Sequence, residues 1–141
     1  MFGQLALATA ALFTGAAVYI NWAEQPARLQ LDDGALLTQW KPSYASGFTM
    51  QASLAVVGFV FGVLEWIVTN NALWLLGASV LVSNWPHTML VSMPTNMTLK
   101  NTAVESAGPA TRALIEKWGR LHAVRSILGG VSTILFLWAS R

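Results

Sequence analysis

Residues 48–93 read FTMQASLAVVGFVFGVLEWIVTNNALWLLGASVLVSNWPHTMLVSM, two apolar stretches that meet at Asn70-Asn71. Residues 48–69 and 72–93 would each form about 33 Å of α-helix at about 1.5 Å per residue. The hydrocarbon core of a bilayer is about 30 Å thick, so each stretch can span it. The two asparagines leave room only for a tight turn, and the sequence therefore predicts an antiparallel hairpin of two transmembrane helices.

Two further apolar stretches flank the hairpin, at residues 5–22 and 122–139. No Lys or Arg precedes residues 5–22, whereas a secretory signal begins with a basic region, so we expect a retained helix. The 141 residues are 55% hydrophobic and 10% charged, against about 25% charged residues in soluble domains. We predict an all-α integral membrane protein in which residues 1–141 form one domain, a four-helix bundle.

Two longer connections, residues 23–47 and 94–121, carry most of the charge. In the first, we expect Pro26 to open a short helix, Asp32 with Asp33 to cap another, and residues 41–44 (Lys-Pro-Ser-Tyr) to break the chain before the second span. In the second connection, Gly108-Pro109 predicts that the last helix begins near Pro109.

The basic residues predict the orientation of the bundle. The opposite side of the membrane has only Arg141, whereas the two long connections carry six basic residues: Arg28, Lys41, Lys100, Arg112, Lys117 and Arg120. Under the positive-inside rule, both connections lie in the cytoplasm and both termini lie outside the cytoplasmic membrane.

Polar residues within or beside the spans gather on the side of the long connections. Ionisable groups at membrane depth normally face the bundle interior, so we expect these residues to converge on one pocket. Helical spacing supports this, because three sets each share one face: Asn21, Glu24 and Arg28; Asn84, His87 and Thr88; Trp118, His122 and Arg125. Tyr44, Gln51 and Asn96 belong to the same side of the membrane.

Each of these features also has an ordinary structural explanation. His122 and Arg125 could contact lipid headgroups, Glu24 and Arg28 could form a surface ion pair, and His87 could be a packing residue. If the last two helices turn near residues 104–105, His87 and His122 lie level, which leaves paired haem ligation open. No spacing signature for a metal ion is present.

The composition excludes several classes of function. Without cysteine there are no disulfides, thiolate nucleophiles or iron–sulfur ligands. The net charge of +2 comes without a basic stripe, so no nucleic-acid partner is expected. The expected partners are the lipid bilayer and a hydrophobic small molecule. Gly58-x-x-x-Gly62 permits close helix packing, which we interpret as internal rather than as a dimer seam.

Several segments resemble the anthrone oxygenase-like family of small membrane proteins, and the resemblance covers roughly residues 5–139. The segments that carry it are Asn21-Trp-Ala-Glu-Gln-Pro-Ala-Arg28, Trp40-Lys-Pro-Ser-Tyr44, Met50-Gln51, Asn84-Trp-Pro-His-Thr88, Met93-Pro-Thr-Asn96 and Trp118-Gly-Arg-Leu-His-Ala-Val-Arg125. The resemblance implies an O2-dependent oxidation of anthrones or related phenolic, polyketide-like substrates.

That chemistry requires a base for an acidic C–H and a donor for the oxyanion that develops. The resemblance therefore implies His122 as the proton acceptor, Arg125 as the oxyanion donor and Glu24 as a further catalytic candidate. The candidate substrate-binding residues are Asn21, Arg28, Tyr44, Gln51, Asn84, His87, Asn96 and Trp118. The residues do not identify a cofactor, and they leave open none, haem or a metal. The alternative is a non-catalytic membrane protein that binds a lipid, a quinone, haem or a partner subunit.

Overall fold

The computed structural model describes residues 1–141 and contains four long helices and no strands, which confirms the predicted all-α bundle. We label the helices α1 (Phe2–Arg28), α2 (Asp33–Thr69), α3 (residues 72–101) and α4 (Pro109–Ala139). α1, α2 and α4 are each long and apolar enough to cross a membrane. Together they indicate a membrane protein.

The turn between α2 and α3 confirms the predicted hairpin. α2 ends at Asn70, whose φ of 53° is left-handed and whose N–H donates to the Trp66 carbonyl at 2.7 Å. The side chain of Asn71 then accepts a hydrogen bond from the N–H of Leu73 at 3.1 Å and caps α3. The antiparallel pair therefore forms with two residues outside the helices, because asparagine tolerates the left-handed conformation.

The predicted helix break at residues 41–44 is wrong. α2 runs through Pro42 without interruption for 37 residues, or about 55 Å. Proline removes one backbone hydrogen bond, but Leu36, Leu37 and Trp40 are fully buried on the turns before it and hold that part of the helix in place. As predicted, the Asp32 carboxylate caps α2, accepting from the N–H of Ala35 at 2.9 Å.

The predicted long connections are also mostly helical. The first shrinks to residues 29–32, because α1 continues to Arg28 and α2 begins at Asp33. The second shrinks to residues 102–108, which include a 3-10 turn at Val104–Ser106, and α4 begins at Pro109 as predicted. α4 has 31 residues, or about 46 Å, so the helices extend beyond the thickness of one hydrocarbon core.

Two of the helices are irregular at the same level of the bundle. α1 passes from a regular helix (Phe2–Tyr19) through a π-helical turn (Ile20–Glu24) into a last turn (Gln25–Arg28). α3 consists of Ala72–Val82, a turn at Ser83, Asn84–His87, a π-helical turn at Thr88–Ser92 and Met93–Asn101. These interruptions leave α3 without a single uninterrupted span.

The interior is divided into two apolar cores at opposite ends of the bundle. The termini-side core consists of Ala6, Ala10, Phe13, Ala17, Ala55, Trp74, Ala78, Leu81 and Phe136. The loop-side core consists of Leu36, Leu37, Trp40, Leu99, Ile115 and Trp118. Buried polar side chains lie between them, and this polar layer is where the predicted site residues stand.

Glycines bring the helices close together at the termini-side core. A Cβ on Gly62 would lie 2.8 Å from the Ala78 Cβ, and one on Gly58 would lie 2.5 Å from a Leu81 methyl carbon. Real Cβ atoms do not approach so closely. With a larger residue than glycine at position 58 or 62, α2 could not lie this close to α3 unless its neighbours moved. The Gly58-x-x-x-Gly62 pattern is therefore an internal packing motif, as predicted.

Candidate functional site

The polar layer brings most of the predicted site residues together. Arg28, Gln51, Asn84, Asn96, His122 and Arg125 are all at least nine-tenths buried, and so is Trp118. Buried polar groups need partners, because an unsatisfied one costs roughly 1–3 kcal/mol. The partners of each group therefore show whether it supports the fold or is free to bind something else.

A small cavity lies inside this layer. Its volume is about 20 Å³, close to the minimum that holds one water molecule. The predicted residues that line it are Tyr44, Gln51, Asn96, Trp118, His122 and Arg125, together with Ser43, Ser92, Ile20, Gly47 and Phe48. In this conformation the cavity is too small for a substrate with several rings.

His122 is held by the end of α1. Its Nδ1 lies 2.8 Å from the Oδ1 of Asn21, and the Nδ2 of Asn21 donates to the carbonyl of Gly119 at 2.9 Å. One helical turn further along α1, Gln25 donates to the carbonyl of Ile115 at 2.9 Å. Asn21 therefore contacts His122, the proposed base, and does not line the cavity.

Gly119 allows this close approach of α1 to α4. A Cβ at this position would lie 2.7 Å from the Nε2 of Gln25. Both Asn21 and Gln25 reach main-chain carbonyls of α4 because no side chain stands between the two helices here. The π-helical turn at residues 20–24 falls at the same place, where π turns are often found at functional sites.

Arg125 is a buried cation without a carboxylate partner. It is 8% exposed, and its only side-chain hydrogen bond is from Nη1 to the Thr88 hydroxyl at 3.4 Å. The salt bridges of the structure involve Arg28, Arg112 and the N-terminal amine, and none involves Arg125. Because an uncompensated buried charge is costly, Arg125 is suited to receiving an anion in the cavity.

Further polar atoms around the cavity also lack partners. The Nε of Arg125, the Nε2 of Gln51 and the Oδ1 of Asn96 are buried and make no hydrogen bond within the protein. These atoms supply two donors and one acceptor among the residues that line the cavity. Unsatisfied buried groups are rare in folded proteins. Three of the nine such atoms in this structure belong to residues that line the cavity, which suits the cavity to a molecule with its own oxygen atoms.

Glu24 and Arg28 form a separate cluster behind Trp118. Glu24 accepts hydrogen bonds from Arg28, from Ser43 and from Gln39, and the Gln39 bond measures 3.1 Å. The guanidinium of Arg28 lies 5.4 Å above the Trp118 ring. Neither Glu24 nor Arg28 lines the cavity, so the structure does not bring them to His122 directly.

His87 and Asn84 contact backbone rather than the cavity. The Nε2 of His87 lies 3.2 Å from the carbonyl of Leu121, which confirms that His87 is level with the start of the His122 turn. Asn84 donates to the Leu81 carbonyl at 2.9 Å and lines a second cavity of about 10 Å³ beside Arg125. His87 and His122 do not share a cavity, which gives no support to haem ligation between them.

The structure also contains no cluster of metal-ligating side chains. No group of three or more His, Cys, Asp or Glu side chains comes together in residues 1–141. The cavity is instead lined by neutral amides, hydroxyls, one imidazole and one guanidinium, which are groups suited to an organic molecule with oxygen atoms.

Several residues of the site were not identified from the sequence. Ser43 and Ser92 line the cavity, and the Ser126 hydroxyl donates to the Oδ1 of Asn21 at 3.0 Å. Helical spacing could have identified Gln25 and Ser126, which lie four residues after Asn21 and His122. The same spacing could have identified Ser92, which lies four residues after Thr88 and four before Asn96.

Two large grooves open on the outer surface between α2 and α3. They have volumes of about 440 Å³ and 500 Å³ and share Phe48 and Thr49. Tyr44 lines the first groove as well as the inner cavity, and Phe48 lines both grooves and both inner cavities. Tyr44 and Phe48 therefore form a wall, one side chain thick, between the polar layer and the outer surface.

Comparison with known proteins identifies the family. The anthrone oxygenase family profile matches residues 40–135, about two thirds of the chain, and the chain belongs to this family. No curated protein and no solved structure matches the chain.

Proposed function

We propose, from membership of the anthrone oxygenase family, that this protein is a membrane oxidoreductase. Its substrate would be a flat, lipid-soluble phenol or ketone with an acidic C–H, and O2 would be the oxidant. The single observation that supports this most is Arg125, a buried cation with no carboxylate partner, beside His122 at the same cavity. A base next to an unpaired cation suits the formation of an enolate.

In the proposed reaction, the Nε2 of His122 removes one proton from a methylene group opposite a carbonyl. The electrons move onto the carbonyl oxygen, and Arg125 with the Nε2 of Gln51 donates hydrogen bonds to that oxyanion. The electron-rich carbanion reduces O2 and bonds to it, and a proton from the imidazolium completes a hydroperoxide. Loss of water leaves a second carbonyl, so CH2 and O2 become C=O and H2O.

The route for the substrate would be lateral, from the membrane. The grooves of about 440 and 500 Å³ are within the range of about 300–1,000 Å³ that is usual for small-molecule sites, whereas the inner cavity is not. Rotation of Tyr44 and Phe48 would join a groove to the cavity. Pro42 in α2 and the π turn in α3 flank this wall and remove regular hydrogen bonds near it, which favours such a movement.

The orientation in the membrane is part of the proposal. The loop-side end, with six basic residues against Arg141 on the other, would face the cytoplasm. A reporter fused after Arg141 would then read as extracytoplasmic. A cytoplasmic reading would reverse the orientation and leave the site itself unaffected.

Oxygen uptake by the purified protein tests the activity. The protein in lipid nanodiscs would be mixed with an anthrone, and O2 consumption and quinone formation would be followed together. The proposal expects one O2 per quinone and loss of turnover in the Arg125→Met variant. If no anthrone or related phenol stimulates O2 uptake, the enzyme proposal fails.

A second candidate function is non-catalytic binding of a lipid or quinone. The observation that favours it is the inner cavity of about 20 Å³, which leaves no room for a substrate beside His122 without movement. The variant Phe48→Ala distinguishes the two functions. It should raise turnover of a bulky anthrone if the wall limits access, and it should only change binding affinity if the protein is not an enzyme.

A further inference from the structure

The hydrogen bonds around Asn21 determine which nitrogen of His122 carries its proton. The amide atom that faces the Gly119 carbonyl must be Nδ2, because a carbonyl oxygen can only accept. The Oδ1 of Asn21 therefore faces His122, and it also receives the Ser126 hydroxyl at 3.0 Å. An oxygen opposite the Nδ1 of His122, at 2.8 Å, requires that Nδ1 be the donor.

We infer that Asn21 is a positioning residue that holds neutral His122 in its Nδ1–H tautomer, so that Nε2 keeps a free lone pair. His122 lines the inner cavity, and its Nε2 makes no hydrogen bond within the protein. The Nδ1–H form is thus selected by α1, although Asn21 does not itself line the cavity. The backbone of α4 fixes the amide, and the amide fixes the imidazole.

His87 has the opposite tautomer in the same molecule. Its Nε2 lies 3.2 Å from the Leu121 carbonyl and 3.5 Å from the Ser92 hydroxyl. The carbonyl is the nearer group and can only accept, so Nε2 carries the proton and the hydroxyl is a second, longer acceptor. The chain has two histidines, and each is therefore an internal reference for the other. The difference follows from the partner that each ring meets, an amide oxygen at Nδ1 for His122 and a main-chain oxygen at Nε2 for His87.

The catalytic consequence rests on the proposed function, whereas the tautomer does not. A base that works through Nε2 needs that nitrogen unprotonated when the substrate arrives. If Asn21 were absent, His122 could place its proton on Nε2 and present a donor to the cavity instead of a base. Partners that orient metal-bound imidazoles are worth about 10–100-fold in affinity or activity, and we expect a loss of that order for the metal-free His122.

Nitrogen NMR of the ring tests the tautomer directly. The full chain would be labelled with ¹⁵N-histidine in lipid nanodiscs, at a pH where both rings are neutral, and His87→Gln and His122→Gln would assign the signals. We expect His122 to show a protonated Nδ1 and His87 a protonated Nε2. A protonated Nε2 on His122 in the unsubstituted protein overturns the inference.

Two substitutions at Asn21 test its role. Asn21→Asp keeps an oxygen opposite Nδ1 and should keep the Nδ1–H signal, although it loses the donor to the Gly119 carbonyl. Asn21→Leu removes that oxygen as well and should move the proton to Nε2. Gln25→Leu is the matched control, since it removes the neighbouring bond from α1 to the Ile115 carbonyl and leaves the Asn21–His122 pair. Retention of Nδ1–H in Asn21→Leu would show that another group sets the tautomer.

Turnover of an anthrone gives an independent measurement. Asn21→Leu should lower kcat by about 10–100-fold, and Asn21→Asp should retain more of it. If the NMR signals change as expected but the rate does not, the tautomer inference stands and the catalytic role of His122 fails. If Asn21→Leu does not fold, the spectra of the unsubstituted protein and of Asn21→Asp still decide the tautomer.

Discussion

The termini-side core and the polar layer solve opposite packing problems within the same four helices. The termini-side core is built from five alanines, one leucine and three aromatic residues. Its helices approach until a Cβ at Gly62 or Gly77 would overlap its neighbour. The polar layer contains a cation without a carboxylate and several amide atoms without partners. One end is closely packed, whereas the other keeps a buried cation and several buried polar atoms without partners.

The residues that stabilise the bundle and the residues suited to binding lie at different levels along it. Small residues give close van der Waals contact, which is the main source of helix association in lipid. Unsatisfied polar groups oppose stability, so their retention in one layer is consistent with a functional requirement. Substitutions at the two ends should therefore change different measured quantities.

The largest effect is expected at His122. Replacing it with alanine should lower turnover of an anthrone by about 10²–10⁴, because it removes the proposed base. The midpoint of thermal unfolding should change little. His87→Ala is the matched control, since His87 contacts the Leu121 carbonyl and does not line the cavity. Full activity in His122→Ala would remove His122 from the reaction.

Gly62→Ala should damage the other end of the bundle. The new Cβ would lie 2.8 Å from the Ala78 Cβ, and neither atom can rotate away, so we expect a loss of about 1–3 kcal/mol in stability. Activity per folded molecule should be unchanged. Gly130→Ala is the control, because nothing lies within 4 Å of its Cβ position. Equal stability of the two variants would contradict the close packing of α2 on α3.

Arg125→Met should separate the two properties most clearly. It removes a buried, unpaired charge and keeps a long side chain, so thermal stability should rise, by about 1–3 kcal/mol. Turnover should fall at the same time. Arg112→Met should instead lower stability, since Arg112 pairs with Asp33 at 2.6 Å and donates to two main-chain carbonyls. A loss of stability in Arg125→Met would mean that Arg125 supports the fold.

The smallest effect is expected at Gly119, where α1 packs closely on α4 beside His122. A Cβ there would touch the end of the flexible Gln25 side chain, so the loss of stability should stay below about 1 kcal/mol. Turnover should fall a few-fold as α1 moves away from His122. In the Gln25→Ala background the contact is relieved, so adding Gly119→Ala should cost no further stability. Additive losses would show that the two residues do not interact.

Much of the bundle was predictable from local pattern. The lengths of the apolar stretches gave the helices, Asn70-Asn71 gave the hairpin, and Gly108-Pro109 gave the start of α4. Each depends on residues next to one another in the sequence. The gathering of polar residues into one layer was predictable for a similar reason, because lipid forces them inward.

The features that the sequence did not predict depend on contacts between helices. Pro42 ordinarily ends a helix, and only the burial of Leu36, Leu37 and Trp40 before it keeps α2 continuous. Asn21 was predicted to bind substrate, and its contacts with Gly119 and His122 become visible only when α1 lies on α4. Glu24 was predicted at the reaction centre, but three donors hold it behind Trp118.

The two π turns mark places where the chain could lose a residue without changing the site. Each turn contains one residue more than an α-helical turn and accommodates it by widening, so the helix beyond it keeps nearly the same face. Deleting one residue from Ile20–Glu24 would therefore return this segment to ordinary α-helix and leave Gln25 and Arg28 close to their present angle. A deletion in the regular part of α1 would instead rotate both residues by about 100° about the helix axis. The same holds for Thr88–Ser92 and Asn96.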